Sequence, residues 1–102
     1  MNQAQLMAQM RKMQQEMTKA QDELAGTIVT GAASGSSVQV EMSCDHHVKS
    51  VKLSKEAVDP GDIETLEDLL VVAINDALKK VEDTTQSRMG RLTGGMKIPG
   101  LM

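Results

Sequence analysis

Two short stretches of the sequence contain residue types that could perform chemistry. The first runs Cys44-Asp45-His46-His47 and offers a thiol, a carboxylate and two imidazoles, all of which are groups that bind transition metals. No second pair of ligands stands elsewhere in the sequence, and adjacent histidines in a turn provide no oriented base for a nucleophile. We therefore interpret these residues as a polar turn, and we expect no metal, no cofactor and no enzymatic activity.

The second stretch, residues 90–95, is rich in glycine like a phosphate-binding loop. It lacks the Gly-Lys-Ser/Thr ending of such loops, and no predicted strand precedes it. The glycines instead favour the end of a helix at Met89, followed by a flexible tail over residues 90–102.

Basic side chains are a third candidate site, because they could bind an anionic partner. Arg11, Lys12 and Lys19 lie on the outer face of a predicted helix, away from its apolar seam. Glu16 follows Lys12 by four residues and Glu23 follows Lys19 by four, which favours an ordinary solvated face. Lys before Glu is the weaker orientation of such a pair, however, so the lysines could exchange their partners for phosphates. The sequence leaves both interpretations open.

Two further bases, Arg88 and Arg91, have no acidic residue within four positions on either side. Residues 82–88 carry no large apolar side chain, so we expect a helix there to project into solvent without a core beneath it. Charged residues on a projecting helix are usually only solubilising. Because these two bases are unpaired, we favour contact with an anionic partner.

The apolar spacing predicts the elements that must position these residues. Over residues 4–25, apolar side chains recur at alternating intervals of four and three, which indicates a long helix with one apolar seam. Asp62 is the expected N-cap of a second long helix, residues 62–89, whose apolar stripe is broad enough to cover a sheet and also touch another helix.

Between the helices, three runs favour β-strands: residues 27–30, 38–44 and 48–53. The middle run alternates apolar and polar residues, which predicts an antiparallel meander with one dry face. The predicted fold class is therefore α+β, with a long N-terminal helix, a three-stranded antiparallel sheet within residues 27–53 and a long C-terminal helix. Its length is that of a single domain, residues 1–102.

The predicted helices are too long for a compact monomer. They measure roughly 33 Å and roughly 42 Å, whereas a compact chain of this length has a radius of gyration near 13 Å. A three-stranded sheet also buries little by itself. We therefore expect a homodimer, and its expected interface residues are Met10, Met13, Met17, Val38, Val40, Met42, Leu70 and Ile74.

The composition narrows the function. The 102 residues include nine methionines and no aromatic residue, so stacking of bases on aromatic rings is excluded as a main mode of binding. The single cysteine excludes an intrachain disulfide, and the sequence shows neither a leader nor an apolar run of membrane-spanning length, so we expect a cytoplasmic protein without membrane contact. The net charge is −3, but residues 79–102 carry five bases against two acids.

Several segments resemble one known family when they are taken in order. They are VQVEM, VKSVKLS, VDPGDIETLEDLL, VVAINDALKKVEDTTQSRMGRLTGG and IPGL. With the long Gln- and Met-rich first helix, they resemble the YbaB/EbfC family of bacterial nucleoid-associated DNA-binding proteins. The resemblance implies a homodimer shaped like tweezers, whose helical arms hold duplex DNA. It implies DNA contacts at Arg11, Lys12, Lys19, Lys79, Lys80, Arg88 and Arg91.

We therefore predict a nucleoid-associated protein that binds double-stranded DNA as a homodimer. Binding would be chiefly to phosphates with little base readout, in the service of nucleoid organisation or gene regulation. The alternative is a protein-interaction adaptor that docks a partner helix on its Met-lined seam, since methionine adapts to varied surfaces. Neither function requires a small-molecule substrate.

Overall fold

The computed structural model describes residues 2–92 and confirms the predicted order of elements. Two α-helices flank three strands, with a short 3-10 helix, Lys55–Ala57, before the second α-helix. The bounds are α1 Gln3–Ala25, β1 Ile28–Ala33, β2 Val38–Ser43, β3 His47–Leu53 and α2 Ile63–Leu92. The predicted end of the second helix at Met89 is wrong, because α2 continues through Gly90. Residues 93–102 of the predicted tail lie outside the described residues.

Helix α1 has a defined cap at each end. The side-chain oxygen of Asn2 accepts a hydrogen bond of 2.8 Å from the backbone N–H of Gln5, which satisfies one of the unpaired amides of the first turn. At the other end, the N–H of Gly26 donates to the carbonyl oxygen of Glu23. The chain then turns directly into the sheet.

The three strands form an antiparallel sheet in the order β1-β2-β3. Strand β1 is longer than the predicted run 27–30, because it continues through Gly31 to Ala33. Glycine and alanine are weak strand formers, but here their small size allows α2 to approach the sheet closely. A Cβ atom on Gly31 would overlap the carbonyl oxygen of Ala73 and the amide nitrogen of Ala77, and it would lie 2.7 Å from the Cβ atom of Ala77.

The outer edge of β1 is closed by side chains from α2. The N–H of Ala32 donates to Oδ2 of Asp76 at 3.0 Å, and Nζ of Lys80 donates to the carbonyl oxygen of Thr30 at 2.7 Å. Lys80 and Asp76 also form an ion pair of 3.3 Å. The hydrogen bond from Ala32, followed by that from Lys80, lowers the pKa of Asp76. These contacts protect an edge that could otherwise pair with another strand.

The core lies between α2 and strands β1 and β2. It contains Val38, Val40 and Met42 on the sheet, which are at most 3% exposed, and the small residues Ala73 and Ala77 on the helix. The first three were expected to contact a second copy. The structure instead buries them in the core of the single chain, because the dry face of β2 is the face that α2 covers.

Strand β3 is left largely uncovered on the same face. Leu53 and Val51 pair with Val38 and Val40 of β2 and therefore point to the same side of the sheet. Their β2 partners are fully buried, whereas Val51 is 47% exposed and Leu53 is 42% exposed. The sheet thus has a dry face of which one helix covers only part.

The end of α2 packs on α1 and does not project alone. Ala20 and Leu24 of α1 are buried, and Met89 packs against the core cluster. The expectation that the helix beyond Val81 has no core beneath it is therefore wrong. Counting large apolar residues in that stretch misses its packing, because Thr84, Thr85 and Arg88 are themselves partly buried in the helix that contacts α1.

The molecule is elongated as the helix lengths predicted. Its radius of gyration is 19.5 Å and its longest dimension is 70 Å, against about 13 Å for the radius of a compact chain of this length. Residues 2–19, which comprise the N-cap and the first 17 of the 23 residues of α1, are all exposed. This part of α1 is a projecting arm.

Candidate nucleic-acid interface

The arm carries three of the predicted DNA-binding residues. Arg11, Lys12 and Lys19 are all exposed. Arg11 and Lys19 are eight residues apart, or about 12 Å along the helix axis. They share a shallow polar groove with Gln14, Gln15, Thr18 and Asp22. The groove presents two cations among amide and hydroxyl groups that could also donate to a phosphate oxygen.

These three bases have no ion-pair partner among residues 2–92. The sequence placed Glu16 and Glu23 within reach of Lys12 and Lys19. In the structure Glu23 instead binds Arg88 of α2. The solvated-face interpretation therefore loses the pair between Lys19 and Glu23, and none of the three bases of the arm is held in an ion pair by another described residue.

Arg88 has an acidic partner that the sequence did not reveal. Its Nε and Nη2 atoms lie 2.9 Å and 2.8 Å from Oε2 of Glu23. The expectation that Arg88 is unpaired is wrong, because its partner Glu23 lies 65 positions away in the chain and a search within one helix cannot find it. A charge pair between two helices at their contact orients the helices relative to each other.

Arg91 lies three positions beyond Arg88 and therefore on the same side of α2. It is exposed, and it forms no ion pair within the part of the chain that the structure describes. Arg88 and Arg91 line the cleft between the helices together with Glu23, Asp83 and Ser87. Arg91 is thus the available cation at this end of α2.

The adjacent lysines of α2 differ in their surroundings. Lys80 donates to the Thr30 carbonyl and pairs with Asp76, so its ammonium group is engaged at the edge of the sheet. Lys79 is exposed and has no ion pair in the described chain. The family resemblance implies DNA contacts at both Lys79 and Lys80, but of these two lysines only Lys79 has an ammonium group available to a ligand. The signal that separates them is the order of acid and base, since Asp76 precedes Lys80 by four residues, which is the favourable orientation, whereas Asp83 follows Lys79 by four.

The Cys44 to His47 stretch forms a closed turn. Cys44 is buried, and its burial raises the pKa of its thiol, which makes the thiolate scarce near neutral pH. Asp45 accepts a hydrogen bond from the Ser43 hydroxyl and lies 3.0 Å from Nδ1 of His47. These two contacts, the one from Ser43 first, lower the pKa of Asp45. Among residues 2–92, no three His, Cys, Asp or Glu side chains are placed to hold a metal ion.

Two apolar surfaces remain exposed. The first, which we call the sheet-helix surface, joins the uncovered face of β3 to one flank of α2; it consists of Val48, Val51, Leu53, Ile63, Leu70, Ile74 and Leu78. The second, the methionine stripe, runs along the arm and consists of Leu6, Met10, Met13 and Met17, which are 45 to 64% exposed. Neither described helix is long and apolar enough to cross a membrane.

The described part of the chain is thus a small α+β fold with exposed bases on a projecting helix, which form no ion pair there, and with an incompletely covered sheet. The comparisons agree with this class. The model of the YbaB/EbfC DNA-binding family matches residues 1–96, and the chain belongs to that family.

Proteins similar to this chain include a nucleoid-associated protein of Roseiflexus sp., which is 52% identical over 100 residues, covering 98% of this chain and 99% of the relative. A nucleoid-associated protein of Chloroflexus aurantiacus is 50% identical over 97 residues, covering 95% and 97% of the two chains. The fold is similar to that of an uncharacterized protein from Helicobacter pylori, with a TM-score of 0.79 at 22% identity, covering 92% of this chain and 99% of that one.

Proposed function

We propose that this protein binds duplex DNA as a homodimer, mainly through phosphate contacts from its helical arms, and that it acts at the bacterial nucleoid. The observation that carries the proposal is the set of exposed bases on α1, Arg11, Lys12 and Lys19, which form no ion pair within residues 2–92. Lys79 and Arg91 of α2 add to this set. The DNA-binding family of the chain and the nucleoid-associated names of its relatives support the same conclusion.

The chemistry of the chain favours phosphates over bases as the contacted groups. The chain has no aromatic side chain to stack on a base or to wedge between base pairs. Its net charge of −3 is not attractive to DNA overall, so attraction must come from local concentrations of positive charge. The arm provides such a region, because residues 2–19 carry three bases against the single acid Glu16, and phosphate contacts do not depend on base sequence.

The sheet-helix surface supports the homodimer. Leu70 and Ile74, which were predicted at the interface, lie on its helical side; Leu70 is half-buried and Ile74 is 37% exposed. An exposed apolar surface of this kind commonly marks a protein interface. The surface includes residues of both the sheet and the helix. A second copy related by a two-fold axis could therefore bury the exposed apolar part of this sheet against the same surface of its own.

A salt titration tests the phosphate contacts. We expect the logarithm of affinity for a short duplex to fall linearly with the logarithm of salt concentration, because binding releases the salt cations that are condensed on the DNA phosphates. Replacing Arg11 and Lys19 by Ala removes up to four contacts from a dimer, so the slope should become less steep by up to about 4. Fluorescence anisotropy of a labelled duplex measures both slopes.

The matched control is the pair Lys49→Ala and Lys55→Ala. It removes the same charge from exposed positions on β3 and on the 3-10 helix, away from the arm. This control should keep the original slope. Equal changes in the arm variant and the control would refute the arm as the binding site, and an affinity that does not respond to salt would refute phosphate binding altogether.

A further inference from the structure

The apolar seam of α1 is covered over only part of its length. Its last two residues, Ala20 and Leu24, are 0% and 6% exposed, and Leu24 belongs to the core cluster that α2 covers. The methionine stripe continues the same seam toward the start of α1, where Met17 is 45% and Met10 is 64% exposed. One continuous row of apolar side chains thus changes from buried to exposed between Ala20 and Met17.

The exposed part begins near the point where α2 ends. The helices run antiparallel, since Lys80 contacts Thr30 at the start of the sheet and Arg88, further along α2, contacts Glu23. Leu92, at the end of α2, is one helical turn beyond Arg88. One turn back from Glu23 along α1 is the axial level of Lys19 and Met17, where the exposed methionine stripe begins. The chain therefore leaves α2 beside the exposed part of the seam.

The residues that follow match the stripe in length and in chemistry. Residues 93–102 read TGGMKIPGLM and contain four large apolar side chains, at Met96, Ile98, Leu101 and Met102. Ten extended residues span up to about 33 Å, whereas Leu6 and Met17 are separated by eleven residues of helix, or about 16 Å. Lys97 is the only charged side chain of the segment, and Glu16 of α1 has no ion pair within residues 2–92.

We propose that residues 93–102 of the same chain pack on the methionine stripe of α1 and extend the contact between the two helices along the arm. A tethered segment competes at an effective concentration in the millimolar range, which a second copy at cellular dilution does not reach. Methionine suits this role because its flexible, polarisable side chain adapts to an irregular partner. The proposal concerns the packing of the arm and does not require that the arm bind DNA.

Oxidation by hydrogen peroxide provides a test, because an exposed thioether is converted to the sulfoxide faster than a covered one. We compare the full chain with the variant Ile98→Asp/Leu101→Asp and measure the oxidation of Met10, Met13 and Met17 by mass spectrometry of peptides. The expected result is oxidation at least about threefold faster in the variant at micromolar protein concentration. In the full chain, the rates should not depend on protein concentration.

Two controls keep the outcome specific. The variant Thr93→Asp/Gly95→Asp adds the same charge to the segment without removing an apolar side chain, and it should keep the rates of the full chain. Met42, which is 3% exposed in the core, must remain slow in every variant. If the aspartates disturb Met42, a chain that ends at Leu92 replaces them and should give the same acceleration.

Equal oxidation rates with and without the apolar residues of the segment would overturn the proposal. Rates that fall as protein concentration rises, and that do not respond to the segment, would also overturn it by assigning the stripe to a second copy. Neither of these results affects the salt titration on Arg11 and Lys19. Failure of this proposal and failure of DNA binding are therefore distinguishable.

Discussion

At the scale of single residues, small side chains determine how closely α2 approaches the sheet. Gly31 faces the backbone of Ala73 and Ala77 without a side chain between them. The close approach also brings Asp76 and Lys80 within hydrogen-bonding distance of the β1 backbone. The absence of one methyl group at Gly31 therefore contributes both to the packing of the core and to the closure of the sheet edge.

We expect Gly31→Ala to lower the free energy of unfolding by about 2 to 3 kcal/mol, because the new methyl group meets backbone atoms that cannot rotate away. Urea denaturation followed by circular dichroism measures the change. Gly90→Ala is the control, since a Cβ atom there meets nothing within 4 Å and alanine favours a helix; it should stabilise by at most about 1 kcal/mol. An unchanged stability of Gly31→Ala would contradict the packing argument.

At the scale of elements, the sequence predicted the structural features that depend on residues close together in the chain. The heptad spacing of α1, the alternation in β2 and the cap at Asp62 are local signals, and all three elements form; the Asp62 carboxylate accepts from the N–H of Thr65 at 3.3 Å. Contacts between distant residues were not predictable in this way. The pair of Glu23 and Arg88 requires the antiparallel packing of α1 on α2, which no local pattern of charges encodes.

The same limit explains the errors in the predicted interface. Alternation in β2 correctly identified a dry face, but it could not show that α2 of the same chain covers Val38, Val40 and Met42. It also could not show that α2 stops short of β3. The exposed residues of β3, such as Val51, therefore became candidates only when the position of the helix was known.

The contact between α1 and α2 leads to a prediction about Arg88 and Glu23. Alanine substitutions in a double-mutant cycle should give a coupling energy of about 0.5 to 1 kcal/mol, which is usual for a partly exposed ion pair. The cycle of Lys19 with Glu23 is the control and should give a coupling near zero, because Glu23 is directed to α2. The reverse ranking would place Glu23 with Lys19 and return the arm to an ordinary solvated face. Both cycles are measured by urea denaturation.

At the scale of the whole molecule, the two edges of the sheet are treated differently. Asp76 and Lys80 close the β1 side, whereas the β3 side keeps an exposed apolar face. On a helix with 3.6 residues per turn, Ile74 lies about 160° around the axis from Asp76, so the exposed flank of α2 faces the β3 side. We therefore expect the proposed second copy to bind on the β3 side of the sheet. The arms of both copies then lie outside the interface.

This arrangement predicts the oligomeric effect of single lysines. Ile74→Lys or Val51→Lys should weaken the homodimer by more than about a hundredfold, because a two-fold interface carries each change twice and each tenfold corresponds to about 1.4 kcal/mol. Val72→Lys is the control: Val72 is 54% exposed, but it lies on the opposite flank of α2. Analytical ultracentrifugation over a range of concentrations distinguishes the variants. A dimer that survives Ile74→Lys and Val51→Lys but dissociates with Val72→Lys would place the interface on the other flank.

Since each copy carries one arm, the variants that dissociate should also lose about half of the salt dependence of DNA binding.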